Sequence, residues 1–255
     1  MNLFGKNTTA PTTQLPAPTA QLPAPTGQGP AISLDKIPSP LVNLTKAAAV
    51  SLDKAGLTGQ RAAVYLVLDH SGSMRNFYAD GSVQRLAEQA LGLSANLDDD
   101  GSVPLIYFAS QAHTPITTDL HNYAGIVDRT HHTTPWGTTD YVAAMNAVIS
   151  DYRASSQTGP VLVIFQTDGG PNDKEATERA LKDAAELPIL WAFVGFGRRV
   201  EFLEKLDDLR GRKVDNASFF HAANPHTVTD NQLYDGLTHE YAEWLAAATA
   251  AGILT

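Results

Sequence analysis

The chain is 255 residues long, and its 43% hydrophobic content is enough to bury a sizeable core in one large or two small domains. Its formal net charge of −9 at pH 7 gives no basic footprint for a phosphate backbone, so we expect no nucleic-acid partner. Because the chain contains no cysteine, disulfides, thiolate metal ligands and cysteine nucleophiles are excluded, and any metal must be bound by oxygen or imidazole.

The first 62 residues divide into two segments that precede the strongly patterned part of the chain. Residues 1–30 carry a single charge and repeat Gln-Leu-Pro-Ala-Pro-Thr at 14–19 and 21–26. Such a composition favours solvated polyproline II over packed structure, so we expect a disordered, proline-rich tail. Residues 31–62 repeat Ser-Leu-Asp-Lys, and we predict an N-terminal appendage to a main domain at 63–255.

From residue 63 onward, apolar strand-like runs alternate with helical patterns, which is typical of β-α-β units around a mainly parallel sheet. The predicted strands are 63–68, 103–108, a short edge strand at 112–118, 161–166, 189–194 and a last one at 219–220. The predicted helices are 83–97, 140–153, 172–187, 200–209 and 233–251. This order predicts an α/β fold with a doubly wound, mainly parallel sheet flanked by helices.

No apolar run reaches the roughly 20 residues that a membrane-spanning helix requires, so we expect no membrane span. The first residues lead into a polar, proline-rich stretch without the apolar segment of a secretory signal peptide. These patterns predict a cytoplasmic protein.

Oxygen-bearing side chains follow the predicted strands at the edge where open parallel sheets bind ligands. The side chains that three loops place there are Asp69, Ser71, Ser73, Thr138, Thr139 and Asp168. Hydroxyls and carboxylates without a soft donor suit Mg²⁺, Mn²⁺ or Ca²⁺ rather than zinc or copper. Mg²⁺ is the first choice, because only two carboxylates serve the site and Mg²⁺ commonly keeps several waters and an outside ligand.

This arrangement resembles the metal-ion-dependent adhesion site of von Willebrand factor A (vWA) domains over about residues 61–220. The matching parts are Asp-x-Ser-x-Ser after an apolar strand, a downstream Gly-x-Thr loop and a strand-terminal Thr-Asp-Gly, in the same order and with similar gaps. The resemblance implies three hydroxyl ligands and two carboxylates that act mainly through metal-bound waters: Ser71, Ser73, Thr139, Asp69 and Asp168. It also implies that an acidic residue of a protein partner completes the coordination sphere.

The sequence leaves the third hydroxyl open between Thr138 and Thr139. A Gly-Thr pattern favours Thr138, whereas the run at 139–141 resembles the Thr-Asn-Tyr of copine-like and tellurium-resistance-associated vWA domains. We assign Thr139. The stretches at 166–171 and 193–197 resemble the same branch, so we expect a vWA protein of the bacterial tellurium-resistance or stress-response group.

Each loop also has a structural interpretation, since Ser, Thr and Asp are favoured at helix N-caps and glycine in turns. For function, we predict a metal-dependent protein-binding module and not an enzyme. One alternative is a metal-dependent phosphoester hydrolase, for which His70 and Asp173 are the nearby candidates for a base. Another is a structural scaffold with an empty metal site.

Two further clusters give no metal-binding pattern. Residues 98–101 lack the later acidic positions of an EF-hand loop, so they predict a solvated turn. Adjacent His131 and His132 lack the i, i+4 spacing of a metal-binding pair and predict a surface loop.

Overall fold

The structure, a computed structural model, describes residues 29–155 and 157–254. Its strands are β1 (Ala63–Asp69), β2 (Ser102–Phe108), β3 (Ile116–Asp119), β4 (Val161–Thr167), β5 (Ile189–Phe196) and β6 (Ala217–Ala222). They form one sheet in the order β3-β2-β1-β4-β5-β6, in which β3 pairs antiparallel with β2 and every other pair is parallel. The predicted doubly wound, mainly parallel α/β fold is confirmed.

The helices fill the connections between these strands. Those within the described residues are α1 (Ser39–Lys54), α2 (Arg75–Ala79), α3 (Ser82–Leu97), α4 (Ile126–Thr130), α5 (Tyr141–Ala154), α6 (Lys174–Ala184), α7 (Glu201–Asp207), α8 (Asp230–Thr238) and α9 (Tyr241–Ala250). In the described part of the chain, no helix combines the length and the apolar character that crossing a membrane requires.

The sheet separates two hydrophobic cores. Along β1, Val64, Leu66 and Leu68 belong to one core and Tyr65 and Val67 to the other, because successive side chains of a strand point to opposite faces. Helices α1, α3, α8 and α9 contribute to the first core, and α5, α6 and α7 to the second. Strands β1, β4 and β5 are buried along their whole length, which explains their nearly continuous apolar sequences.

Helix α1 lies within the predicted appendage and packs against α3 and α8. Its residues Leu41, Ala48 and Leu52 are buried in the first core. Helices α1 and α3 approach closely at Gly92 of α3, where a Cβ atom would lie 2.7 Å from the Cβ of Leu44. The first 28 residues lie outside the described part, so the disordered tail and the division at residues 30 and 62 stay predictions.

The edge strand expected at 112–118 is shorter and lies further along the chain. Strand β3 begins directly after Pro115, which has no N–H to donate to a strand ladder. Ala112 forms an isolated bridge with Phe108 instead. The proline therefore divides the expected strand.

The helix expected at 233–251 is two helices, α8 and α9, separated by His239 and Glu240. Glu240 has φ −101° and ψ −5°, at the margin of the helical region, so the ladder is interrupted while the backbone stays close to helical. Helix α8 begins with a capping box between Thr229 and Gln232, which fixes its start three residues before the predicted one.

Candidate metal centre

Three loops meet at the carboxyl edge of the sheet beside β1 and β4. The N–H of Gly72, in the loop after β1, donates to the carbonyl of Gly137 at 3.1 Å. The N–H of Asn172, after β4, donates to the carbonyl of Thr139 at 2.8 Å. A Cβ atom at position 137 would lie 3.0 Å from the backbone nitrogen of Ser110, so glycine favours this close approach. These contacts fix the three loops relative to one another.

Three predicted ligands form a continuous chain of contacts between two of these loops. The Oγ atoms of Ser71 and Ser73 are 3.2 Å apart, and Ser73 Oγ donates to Asp168 Oδ1 at 2.8 Å. Ser73 is exposed and Asp168 is partly exposed, so the cluster lies at the surface. Hydroxyl and carboxylate oxygens that converge in this way suit a hard divalent cation.

Asp69 is the buried member of the set, with no exposed surface. Its Oδ1 accepts from the N–H of Ser71 at 2.7 Å and its Oδ2 from the hydroxyl of Thr167 at 2.6 Å. No Lys, Arg or His within the described residues forms an ion pair with it. Burial raises the pKa of Asp69 to about 6 and also raises the pKa of Asp168. A divalent cation nearby would favour the ionised form of both carboxyls.

The two threonines of the third loop differ in what their hydroxyls contact. Thr138 Oγ1 accepts from Asn172 Nδ2 at 2.9 Å and lies 3.0 Å from Ser110 Oγ. Thr139 is held through its backbone, since its N–H donates to Asn172 Oδ1 at 3.2 Å. Within the described residues, the Thr139 hydroxyl has no hydrogen-bond partner. The hydroxyl of Thr139 is therefore the more available of the two.

Helix caps in this region are supplied by neighbours of the predicted ligands. Asp140 caps α5 by accepting from the N–H of Ala143 at 3.0 Å, and Asp173 caps α6 by accepting from Ala176 at 2.9 Å. Ser71 precedes a short 3₁₀ turn and forms no side-chain cap hydrogen bond. Helix capping thus explains the positions of Asp140 and Asp173, but it does not explain the hydroxyls of the predicted metal ligands.

His70 is buried in an aromatic cluster next to the ligand loop. Its ring stacks on Trp136 with the centroids 3.6 Å apart, and its Nε2 lies 3.2 Å from Nδ1 of His131. Burial lowers the pKa of His70 to about 4, so the ring is neutral near pH 7. The guanidinium of Arg75 lies over the Trp136 ring, 4.5 Å from its centroid. His131 is half-buried in this cluster, and His132 is exposed.

Three residues of the centre were not predicted: Thr167 and Asn172, which contact predicted ligands, and Ser110, which contacts Thr138. The first two lie in the same loop motif as Asp168, so their position in that motif was a usable signal. Ser110 follows β2, and only the sheet order brings it to this edge.

Side chains of the usual acidic and nitrogen ligands do not form the centre by themselves. In the described part of the chain, no group of three or more His, Cys, Asp or Glu side chains could hold a metal ion. Any cation here would depend on hydroxyl oxygens and on two carboxylates, which is the donor set that the sequence predicted.

A doubly wound sheet with oxygen donors on three loops at its carboxyl edge is the architecture of a vWA domain. The family profile described as "vWA found in TerF C terminus" matches residues 61–254. The uncharacterized protein YcbR of Bacillus subtilis (strain 168) is 32% identical over 215 residues, which cover 82% of this chain and 88% of that protein. The chain therefore belongs to the TerF-like group of the vWA family, and the resemblance to the tellurium-resistance-associated branch is confirmed.

Solved structures share the fold at low identity. The von Willebrand factor type A protein from Catenulispora acidiphila has a TM-score of 0.53 and 13% identity, over 71% of this chain and 43% of that chain. The manganese-loaded TRAP protein of Plasmodium vivax has a TM-score of 0.49 and 21% identity, over 69% of this chain and 74% of that chain. The present chain spans less than half the length of the Catenulispora chain.

Proposed function

We propose that this vWA domain is a metal-dependent protein-binding module whose cation, in the first place Mg²⁺, binds an acidic residue of a protein partner. Mn²⁺ and Ca²⁺ are the alternatives. The observation that carries the proposal is the continuous contact of Ser71, Ser73 and Asp168 above the buried carboxylate of Asp69.

The donor set fits a hard cation in three respects. The contacting atoms of Ser71, Ser73 and Asp168 are all oxygens. Asp69 is a carboxylate buried without a cationic partner in the described part of the chain, which is unfavourable unless positive charge is supplied. The hydroxyl of Thr139 is free to be the third ligand, whereas that of Thr138 is already engaged.

An acidic partner group follows from charge and access. The chain has a net charge of −9 and would repel an acidic partner, but a bound cation reverses the local sign. Ser73 is exposed, so an outside carboxylate can reach a cation held beside it. Asp69 and Asp168 would contribute mainly through metal-bound waters, which leaves one coordination position for the partner.

The hydrolase alternative is weaker because both candidate bases are engaged. His70 is buried between Trp136 and His131, and Asp173 caps α6. A metal-activated water needs a base within hydrogen-bond reach. We therefore propose a non-enzymatic role. The remaining alternative, a scaffold with an empty site, is separated by metal analysis.

We further propose that the module acts in the cytoplasm as part of a bacterial stress-response or tellurium-resistance-associated complex. The support is the family description, which refers to TerF. No residue of the site contributes chemistry specific to tellurium compounds, so this part of the proposal concerns the biological setting alone.

The test combines calorimetry with partner capture. We expect one Mg²⁺ site in the full chain, a large loss of Mg²⁺ affinity in Ser73→Ala, and capture of a partner from a bacterial lysate that EDTA abolishes. Ser155→Ala is the matched control, because Ser155 is exposed at the far end of α5 and, among the described residues, its hydroxyl forms hydrogen bonds only with the carbonyl of Tyr152 and the N–H of Gln157. Full Mg²⁺ affinity in Ser73→Ala, or capture that is unchanged in EDTA, would contradict the proposal.

A further inference from the structure

We propose that the partner presents two acidic residues close together in one segment, one bound to the cation and the other to the guanidinium of Arg75. The inference rests on the proposed metal-dependent function and adds the feature that the partner must have. It makes Arg75 a specificity-determining residue of the binding face.

Arg75 is an exposed cation without a carboxylate partner. Within the described residues it forms no ion pair, although Arg85, Arg199 and Arg212 each pair with an acidic side chain. Its guanidinium lies over the Trp136 ring, 4.5 Å from the ring centroid. An arginine stacked on an aromatic face keeps its N–H groups free, and these can bind a carboxylate through two parallel hydrogen bonds.

The aromatic support beneath Arg75 is rigid. Trp136 stacks on buried His70 at an interplanar angle of 11° and lies edge-on to Tyr78, which is also buried. The N–H of the next residue, Gly137, donates to the carbonyl of His70 at 3.4 Å. A guanidinium held on such a support loses little conformational entropy when it binds a carboxylate, so the binding free energy is more favourable than for a freely moving arginine.

The contacts around Trp136 place Arg75 beside the ligand loops. Arg75 is two residues after the predicted ligand Ser73, so their Cα atoms are at most about 7 Å apart. The backbone between them is helical, so their side chains do not face each other, and the guanidinium lies over Trp136 instead. The residue after Trp136, Gly137, accepts from the N–H of Gly72 in the ligand loop at 3.1 Å. A partner segment that directs one carboxylate to the cation therefore brings a second one, close by in its sequence, within reach of Arg75.

The experiment uses two fluorescein-labelled peptides and the full chain. The two-acid probe is Gly-Ser-Glu-Ser-Glu-Ser-Gly, and in the one-acid probe the second Glu is replaced by Gln. In Mg²⁺ we expect about tenfold tighter binding of the two-acid probe, which exceeds the factor of about two that arises because either of its acids can reach the cation. Arg75→Gln should reduce the ratio to about two without changing Mg²⁺ affinity or binding of the one-acid probe.

Two further variants sharpen the test. Arg75→Lys keeps the charge and loses the planar fork, so its ratio should lie between those of the wild type and Arg75→Gln. Arg210→Gln is the matched control, because Arg210 is exposed after α7, at the opposite edge of the sheet, and its variant removes the same charge. Its ratio should stay at about ten.

Several outcomes would overturn the inference. One is an affinity ratio of the two probes that stays at about ten in Arg75→Gln, and another is a ratio that falls equally in Arg210→Gln. A third is an Arg75→Gln variant that loses as much affinity for the one-acid probe as for the two-acid probe. Absence of binding by both probes at millimolar concentration would also overturn it. Probe binding that is unchanged in EDTA would instead contradict the metal-dependent function, whereas Mg²⁺-dependent binding that ignores Arg75 would contradict only the two-acid partner.

Discussion

The layer of α1, α3 and α8 and the loops of the metal centre differ in how their polar groups are satisfied. In the layer, Asn96 Nδ2 donates to the carbonyls of Thr45 and Gly92 at 3.0 and 3.1 Å, and Tyr234 donates to the carbonyl of Gln89 at 3.0 Å. At the centre, carboxylates and hydroxyls face one another, and a buried carboxyl has a raised pKa.

From this contrast we infer that the chain completes the layer by itself, whereas the proposed centre would be completed by an ion. Changes in the layer should therefore alter stability and leave the metal affinity of the folded protein unchanged. Changes at the centre should alter metal affinity and leave stability in EDTA nearly unchanged, except at the buried Asp69, where stability should also depend on pH. The four predictions below test that separation, from the largest expected effect to the smallest.

The largest effect is expected in the layer, at Gly92. In Gly92→Val the new Cβ would lie 2.7 Å from Cβ and 3.2 Å from the backbone carbonyl carbon of Leu44, so α1 must move away from α3. We expect a loss of about 3 kcal/mol in the free energy of unfolding, measured with urea in EDTA. Gly159→Ala is the control, because its Cβ would meet nothing within 4 Å. A change of Mg²⁺ affinity in folded Gly92→Val would break the separation.

The second effect is a pH dependence at Asp69. Its folded pKa of about 6 lies above the unfolded value of about 3.9, so the folded state binds the proton more tightly. The contribution of the protonated Asp69 carboxyl to the free energy of unfolding is therefore fully present below pH 4 and is lost as the pH rises through 6. At pH 8 in EDTA, Asp69→Asn should be more stable than the wild type by about 2 kcal/mol. Thermal melts from pH 4 to 8 would refute this if the two pH profiles ran parallel.

The same two proteins should respond differently to Mg²⁺. The wild type should gain thermal stability at pH 8 on addition of Mg²⁺, because the cation compensates the buried charge and binds only the folded state. Asp69→Asn should gain much less. Equal Mg²⁺-induced shifts in melting temperature would show that Asp69 does not serve the cation.

The third prediction concerns the partly exposed carboxylate. Asp168→Asn removes a charge that, in the proposed site, would act through metal-bound water, and we expect Mg²⁺ affinity to fall about 30-fold. The free energy of unfolding in EDTA should change by less than about 1 kcal/mol, because the side chain is partly exposed. Calorimetry and urea unfolding measure the two quantities, and a change confined to stability would place Asp168 outside the centre.

The smallest effect distinguishes the two threonines. Thr139→Ala should weaken Mg²⁺ binding about tenfold through loss of a ligand. Thr138→Ala should weaken it less than about threefold, since its hydroxyl contacts Asn172 and Ser110. The reverse order in calorimetry would assign the ligand to Thr138.

The sequence was most informative where both faces of an element are buried. Strands β1, β4 and β5 are buried throughout, so their apolar runs could be recognised without knowledge of their neighbours. Strand β3 lies at the sheet edge and has only one buried residue, Thr118, so its apolar pattern was weak and Pro115 was decisive. The break between α8 and α9 leaves no mark on the spacing of their buried side chains.

For the candidate centre, motif spacing could identify the loops and the types of donor atom. It could not distinguish Thr138 from Thr139, because the difference lies in hydrogen bonds to Asn172, more than thirty residues away in the chain. The stack of Arg75 on Trp136 is equally invisible in the sequence, since two separate loops must first be brought together.

The contacts of Gly29 and Ile32 have a consequence for presentation of the binding face. The carbonyl of Gly29 accepts from Arg61, which precedes β1, and Ile32 donates to the carbonyl of Ala95 at the end of α3. Both contacts lie at the amino edge of the sheet, about 20 Å from the metal loops, one strand length away. Residues 29–32 are thus held on the side of the sheet opposite the proposed binding loops and leave those loops open to a partner.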